Sequence, residues 1–428
     1  MGQTFNPHNL VRTASSSPLS SLEKHLLHQE ANIEAWLDKQ WQKTPPAFYC
    51  SVDLRNAGFK FSPVDANLFP AGFNNLNPDF MSLCVQAAQA TMHQLFPDIQ
   101  RVLLIPESHT RNPFYLESLA VLHKILIQAG LSVKIGSLRS DLLTPETISL
   151  ASGHQIILEP MQRKDNYLTL ANSDFNSTNT LVLLNHDLSA GIPDILQHLQ
   201  QAIHPPLSMS WSFRLKSNHF GHYQAVAAEL AELIAIDPWL INPLSYHCGE
   251  IDFMKHEGED CLAHNTNLLI KAIQQKYNEH GIKDKPFVVV KADSGTYGMA
   301  VMMVHSAEEL RHLSRKKRTH MSTSKGGQTV SKVIIQEGVH TIESWNNASA
   351  EPVIYMIGQQ VVGAFYRVHP ERSADDNLNS PGMYFEPLSF IAADNLLADD
   401  PRQRFYVYSV IARLAALACA RELKEKPI

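Results

Sequence analysis

The sequence has no cysteine pattern that would staple a fold or hold a structural metal. Its five cysteines, Cys50, Cys84, Cys248, Cys261 and Cys419, are scattered and odd in number, and none forms a C-x-x-C pair. It also lacks an excess of positive charge. The net charge of −6 argues against nucleic acid as the main partner, because phosphate backbones select basic surfaces. No apolar run approaches the ~20 residues of a membrane span. The N-terminus has no basic segment followed by an apolar one, and Asn6 stands where myristoylation requires Ser or Thr. There is neither a G-x-x-x-x-G-K-[ST] nor a G-x-G-x-x-G motif, so P-loop and Rossmann readings are poor. These absences predict a reduced, cytoplasmic protein with neither nucleic acid nor membrane as partner; no oligomeric state follows from them. At 428 residues with 44% hydrophobic content, two or three domains are expected.

What is present is organised around Phe287 to Met299. Phe287 to Val290 reads as a strand buried on both faces, ending at Lys291. Asp293 to Gly298 is a small-residue turn, and Met299 to Val304 is a second apolar run. A hairpin with Gly295 and Gly298 at its tip can lie close to a ligand. Its backbone N–H groups can cradle phosphate beside a lysine charge; an ordinary hairpin with an exposed lysine is the alternative.

Before this hairpin, a loose arm precedes an amphipathic helix over Ser21 to Gln42, stopped by Pro45-Pro46. A strand with Asp53, Arg55 and Lys60 leads into a loop holding Asp65, Asn67, Asn74 and Asn75. These groups suit a ligand bearing amine and carboxylate, or they satisfy their own turns. Residues 101 to 137 read as strand, loop, helix, strand, and Thr180 to Asn185 as a further strand running into polar residues. Repetition of that pattern predicts an open α/β domain over roughly 48 to 240, with ligands at the carboxyl ends of its strands. Alternation in Ser210 to Phe220 puts Arg214 and Lys216 on one strand face, for anion recognition or as a solvated edge. After the hairpin come a basic flexible segment from Arg315, a strand ending at Gln336-Glu337, a hairpin ending at Arg367, a polar loop from Asp375 to Gly382, and a closing helix over Phe405 to Arg421.

This order of parts resembles the ATP-grasp ligases, glutathione synthetase among them. It resembles more closely the glutamate–cysteine ligase family of certain proteobacteria. The stretches carrying the likeness are Ser51 to Lys60, Pro63 to Asn75, Glu107 to Asn112, Val290 to Met299, Gln336 to Val339, Val362 to Val368 and Asn377 to Met383. The resemblance implies an α/β (α+β) ATP-grasp fold with an N-terminal open α/β domain like a pre-ATP-grasp domain. The expected division is an arm and helix over 1–47, a substrate-binding domain over 48–245 and the ATP-grasp subdomains with the lid hairpin over 246–428.

The implied reaction joins the γ-carboxylate of glutamate to the amine of cysteine with ATP and Mg²⁺, through an acylphosphate. By position, Lys291 would contact the α/β-phosphates, and Ser294, Gly295, Thr296, Tyr297 and Gly298 would cover the β/γ-phosphates. Gln336, Glu337 and Val339 would hold adenine, with Asn377 beside the nucleotide. Arg367 and Lys291 would be catalytic, and Arg55, Lys60, Asn74, Arg214 and Lys216 would bind the amino acids. The sequence departs from the pattern in lacking a Glu-x-Asn pair after the last helix. The metal ligands are then expected at Glu351, Asp376 or Asn379, or in the N-terminal half, with Asp293 and Glu337 as further options. A ligase with other amino-acid substrates, or a nucleotide-binding regulator, are the rival expectations.

Overall fold

The computed structural model of the chain describes residues 10–11, 18–108, 112–170, 175, 179–295, 298–323, 327, 329–388, 390–391, 400 and 403–425. It is a mixed α/β structure with three large sheets. The first is mostly parallel. Strands Arg101–Ile105, Ser132–Ser137 and Thr180–Leu184 run side by side, with Arg101–Ile105 in the middle. The apolar runs of Arg101–Ile105 and Thr180–Leu184 are buried on both faces, as a helix-covered parallel sheet requires, whereas Ser132 and Lys134 of the third strand are exposed. The helix Pro113–Gln128 makes the crossover; Asn112 caps it, accepting from the Phe114 N–H, and Pro113 starts it.

The second sheet is antiparallel, in the order Ser245–Cys248, Val333–Glu337, Val288–Ala292, Val301–Val304. The expected hairpin is therefore formed, with Lys291 opposite Val301 and next to Ile334. The third sheet, also antiparallel, runs Tyr384–Pro387, Gln360–His369, Ala348–Ile357, Tyr49–Asn56, Phe61–Asn67. The Tyr49–Asn67 hairpin, placed from sequence at the start of the parallel unit, thus pairs with C-terminal strands more than 290 residues away in the chain.

Behind the third sheet lies the helix Arg404–Glu425, buried on nearly every face against the helix Lys216–Leu233 and the 49–67 hairpin. Its charged residues are neutralised in place: Arg413 bonds Glu34 at 2.6 Å, Arg404 bonds Glu23, and Glu422 bonds Arg214 at 3.1 Å. Burying these charges without partners would cost several kcal/mol each.

Local readings change in three places. The predicted helix over Ser21 to Gln42 is two helices, Ser21–His28 and Glu30–Lys43, broken at Gln29; its apolar stripe (Leu22, Leu26, Ile33, Leu37, Trp41) is buried nonetheless. The basic segment read as flexible contains the helix Arg315–Ser322, capped by Ser314. Arg214 and Lys216 do not alternate on a strand: Arg214 lies in a turn, and Lys216 is the first residue of a helix. No helix of the described residues is long and apolar enough to cross a membrane.

Candidate active site

Between the second and third sheets opens a cleft of about 760 Å³, walled on one side by Val289, Lys291, Val301 and Met303 and on the other by Asp53, Arg55, Glu351 and Arg367. Sheet pairing explains the placement. In antiparallel strands alternate side chains share a face. Arg55 and Asp53 therefore project from Tyr49–Asn56 on the same side, and Glu351 and Arg367 face each other across their ladder.

Lys291 is buried. Its Nζ donates to the Val64 carbonyl at 2.8 Å and to Gln336 Oε1 at 2.6 Å. Burial pulls its pKa down to about 8, although Asp65 and Glu351 act the other way. Among the described residues, the Nε2 of Gln336 is buried with no hydrogen-bond partner. Arg367 donates to Asp53 at 2.8 Å and Glu351 at 2.6 Å, while its Nε is buried and unpartnered. Two buried donors without acceptors, both on residues that line the cleft, are costly for the fold and suit an oxyanion-rich ligand.

Arg55 pairs with Glu351 at 2.7 Å and donates to the carbonyls of Ala374 and Asp376 at 2.6 and 2.7 Å. It thereby ties the 375–382 loop to the cleft rim. Gly298 meets the same loop from the lid. Its φ is +65°, and a Cβ there would lie 2.7 Å from the Asn379 carbonyl oxygen and 3.2 Å from the Asn377 amide, so glycine is required by both conformation and space. The base of the lid is held on the other flank. The Asp293 carboxylate accepts from Ser217 N and Oγ, both at 2.7 Å, and so caps the helix Lys216–Leu233 from outside its own chain segment. Lys216 Nζ bonds the Gly295 carbonyl and lies 4.4 Å from the Trp211 ring centroid. Its burial lowers its pKa. Thr296 and Tyr297, expected in the lid, lie outside the described residues.

A second cavity, of about 790 Å³, adjoins the first and shares Asp53, Asp65, Arg367 and Asn379 with it. Among the described residues its charged lining is one-sided, with Asp53, Asp65, Glu107 and Asp187 against Arg367. Burial pushes the Asp53 carboxyl up despite the Arg367 guanidinium beside it. Such a chamber complements an ammonium group or a cation.

The expected site residues therefore separate. Lys291, Gly295, Gly298, Gln336, Glu337, Val339, Arg55, Lys216, Arg367, Glu351, Asn377 and Asn379 line the first cavity. Lys60, Asn74, Arg214 and Asp376 line neither the first nor the second. Lys60 is fully buried behind the cleft wall, where it bonds Glu337 at 2.7 Å and lies 4.2 Å from the Trp239 ring centroid. Burial lowers it to about 8 even so. Asn74 bonds Asn75 at 3.2 Å. The Asp376 carboxylate caps Ser373 at 2.9 Å, and only its carbonyl reaches Arg55. Arg214 is locked to Glu422 and to the Ala66 carbonyl. His219, Cys419 and Glu422 cluster there at metal-ligand spacing, but the Arg214 guanidinium already bonds both the thiol and the carboxylate, which repels a cation. Ser294 is half-buried at the lid base.

Sequence reasoning named Asp53, Asp65 and Asn75 only as part of a polar stretch suited to a ligand, and gave no individual role to Glu107, Asp187 or Asp375, nor to the Ser217–Asp293 clamp. The available signal was that apolar strands repeatedly end in carboxylates and amides, at Asp53, at Glu107 and at Asp187.

Two sheets closing on a cleft of lysines, arginines and amides, with a glycine-tipped hairpin over it, define an ATP-grasp fold. A family model of glutamate–cysteine ligases matches residues 23–423. A crystal structure assigned as a gamma-glutamylcysteine synthetase from Methylobacillus flagellatus KT is 51% identical over 97% of this chain and 99% of that one, with a TM-score of 0.86. Weaker likenesses, each at 11% identity, are to a glutathione synthetase-like effector of Globodera pallida (89% and 86% covered, TM-score 0.38) and D-alanyl-alanine synthetase A of Vibrio cholerae (74% and 81%, TM-score 0.34). Among curated proteins there is no match. The chain belongs to the glutamate–cysteine ligase family, and is a ligase.

Proposed function

We propose that the first cavity binds ATP and the second the amino acids, and that the enzyme makes γ-glutamylcysteine through a γ-glutamyl phosphate. The observation that carries this reading is the position of Arg367. It lines both cavities, and its buried Nε has no acceptor. A guanidinium at that junction can stabilise the phosphoryl group as it passes from ATP to the glutamate γ-carboxylate, and then the acylphosphate as the amine of cysteine attacks.

The other residues take roles set by their surroundings. Lys291 supplies charge to the phosphates, exchanging Val64 and Gln336 for phosphate oxygen. The apolar side chains Val289, Val301 and Met303 flank the base. The N–H groups of Glu337 and Gly338 already donate to the carbonyls of Leu244 and Phe287, and the Val339 carbonyl accepts from Arg55 at 3.3 Å, which leaves the Val339 N–H for main-chain recognition of adenine. Glu337 serves from behind, since its carboxylate is spent on Lys60, Trp239 and Leu244. Arg55 and Lys216 are positioning residues, one for the 375–382 loop and one for the lid. In the acidic second cavity, Glu107 and Asp187 receive the substrate ammonium groups. Closure of the glycine loop excludes water from the acylphosphate.

Both oxygens of Glu351 are taken by arginines, and Asp376 is turned away. Oxygen donors that fit Mg²⁺ are instead Asp53, Asp65 and the Asn379 amide, which line both cavities; burial already disfavours the charged form of Asp53, and a cation would restore it. Bound there, the ion would neutralise phosphate charge. The test is ADP release from ATP and Mg²⁺ with each amino acid alone and with both. Release that requires both, with γ-glutamylcysteine identified by mass, is expected; release with a different acid and amine, or none with any pair, defeats the proposal.

A further inference from the structure

Outside the cleft, one pair of nucleophilic side chains is brought together that the ligation does not use. Cys248 ends the edge strand Ser245–Cys248, and Cys261 sits in the first turn of the helix Glu259–Glu279. Their sulfurs are 3.7 Å apart. The Asn265 amide, one turn along the helix, donates toward both, at 3.1 Å to Cys248 and 3.5 Å to Cys261. Cys248 is buried, whereas Cys261 is the one exposed thiol among the five.

We infer that Cys248 and Cys261 form a thiol-modification site that takes low-molecular-weight disulfides and becomes an intramolecular disulfide. Exposure makes Cys261 the entry point. Its thiolate attacks one sulfur of the small disulfide, forming a mixed disulfide and releasing one small thiol. Cys248 then attacks the Cys261 sulfur and releases the second thiol. Two protein thiols are thereby oxidised and one small disulfide is reduced to two thiols, with no further electron acceptor. The Asn265 amide can stabilise negative charge on whichever sulfur carries it. Burial pushes the Cys248 thiol up to about 11, which keeps it from being the first to attack; its proximity to Cys261 makes the second step intramolecular. Closing the bond needs the sulfurs to approach by about 1.7 Å, from 3.7 Å to the usual S–S length of about 2.0 Å. The other cysteines are buried, so the oxidant meets Cys261 first.

The bond would pin an edge strand whose partner, Val333–Glu337, carries Gln336 into the cleft, with Ser245 opposite Gln336 and Cys248 opposite Val333.

The experiment treats the full chain with oxidised glutathione and follows it by intact mass and peptide mapping. The expected product has lost two hydrogens and carries a Cys248–Cys261 cross-link, reversed by a monothiol reductant. Cys261→Ser should be inert on the same timescale. Cys248→Ser should stop at a stable glutathione adduct on Cys261, which a merely adjacent thiol pair would also give in the unmutated protein. A persistent adduct on unmutated Cys261, no thiol loss, or first reaction at Cys50, Cys84 or Cys419 overturns the inference.

Discussion

Two arginines, Arg367 and Arg214, are both buried and both paired with carboxylate, yet they belong to different kinds of site. Arg214 sits in a closed cluster, with Nε and Nη2 on Glu422 and Nη1 on the Ala66 carbonyl. Arg367 uses Nη1 for Asp53 and Glu351 and keeps Nε unsatisfied on the boundary of two cavities. A buried charge with all its partners inside the fold acts on stability. One with a donor left over at a cavity wall is poised for a ligand, and the fold bears the cost of that donor in its absence.

Arg214→Ala should show the larger effect of the two on folding. Removing the bidentate guanidinium leaves the buried Glu422, among the described residues, with only His219, 3.5 Å away, as a charged partner, and is expected to cost about 3 kcal/mol, read as a lowered denaturant midpoint, with the KM for ATP of the folded fraction near that of the unmutated enzyme. A selective loss of activity at full stability would merge the two classes. Arg367→Lys should do the reverse: kcat falls by about 10²–10³-fold with only a small change in the unfolding midpoint, because an ammonium does not reproduce a planar fork. Unchanged turnover would remove Arg367 from the chemistry.

Lys291 sharpens the comparison through pH. Because its pKa in the folded protein is about 8, the charge needed for phosphate is lost above that value, and kcat/KM for ATP should decline there by about tenfold per pH unit. Lys291→Arg should keep the plateau to higher pH. Stability moves the opposite way. The unfolded lysine, near 10.5, holds its proton where the folded one does not, so the fold gains stability as pH climbs from about 8 to 10.5 and loses it on the way down. Lys291→Met should shrink that gain, measured by denaturant unfolding across this range.

Smaller effects are expected at the lid. Gly298→Ala meets both a positive φ and the Asn379 carbonyl oxygen, a strain on the order of 1–3 kcal/mol that should raise the KM for ATP and lower kcat together. A change in unfolding midpoint alone would show a structural glycine with no part in closure. Ser217→Ala removes one hydrogen bond from Asp293 and should weaken ATP binding by about 1 kcal/mol, roughly fivefold in Kd by calorimetry. An unaltered Kd would exclude the clamp from lid positioning.

Much of the fold was legible in local pattern. The apolar strands at 101–105, 180–184, 288–292 and 333–337, the glycine-tipped hairpin and the long last helix all follow from periodicity and turn chemistry, because backbone geometry answers to neighbours a few residues away. Lys291, Gln336 and Arg367 were legible as polar residues at strand ends; that they share one site was an expectation carried by the family resemblance. Lys60 and Glu337 were legible as charges but not as each other's partners. Ser217 gave no sign of its role, since the carboxylate it serves is 76 residues further on.

The sequence by itself determined which residues could carry phosphate and carboxylate chemistry, and the family to which they belong. The tertiary structure alone decided which charges were sealed in and which were left facing a cavity. It sent the 49–67 hairpin to the C-terminal sheet and locked Arg214 behind the last helix. It also brought Cys248 within reach of Cys261, two of five cysteines that look unrelated along the chain. The reason is physical: a charge's function depends on its partners and its exposure, and both are set by contacts between residues separated along the chain.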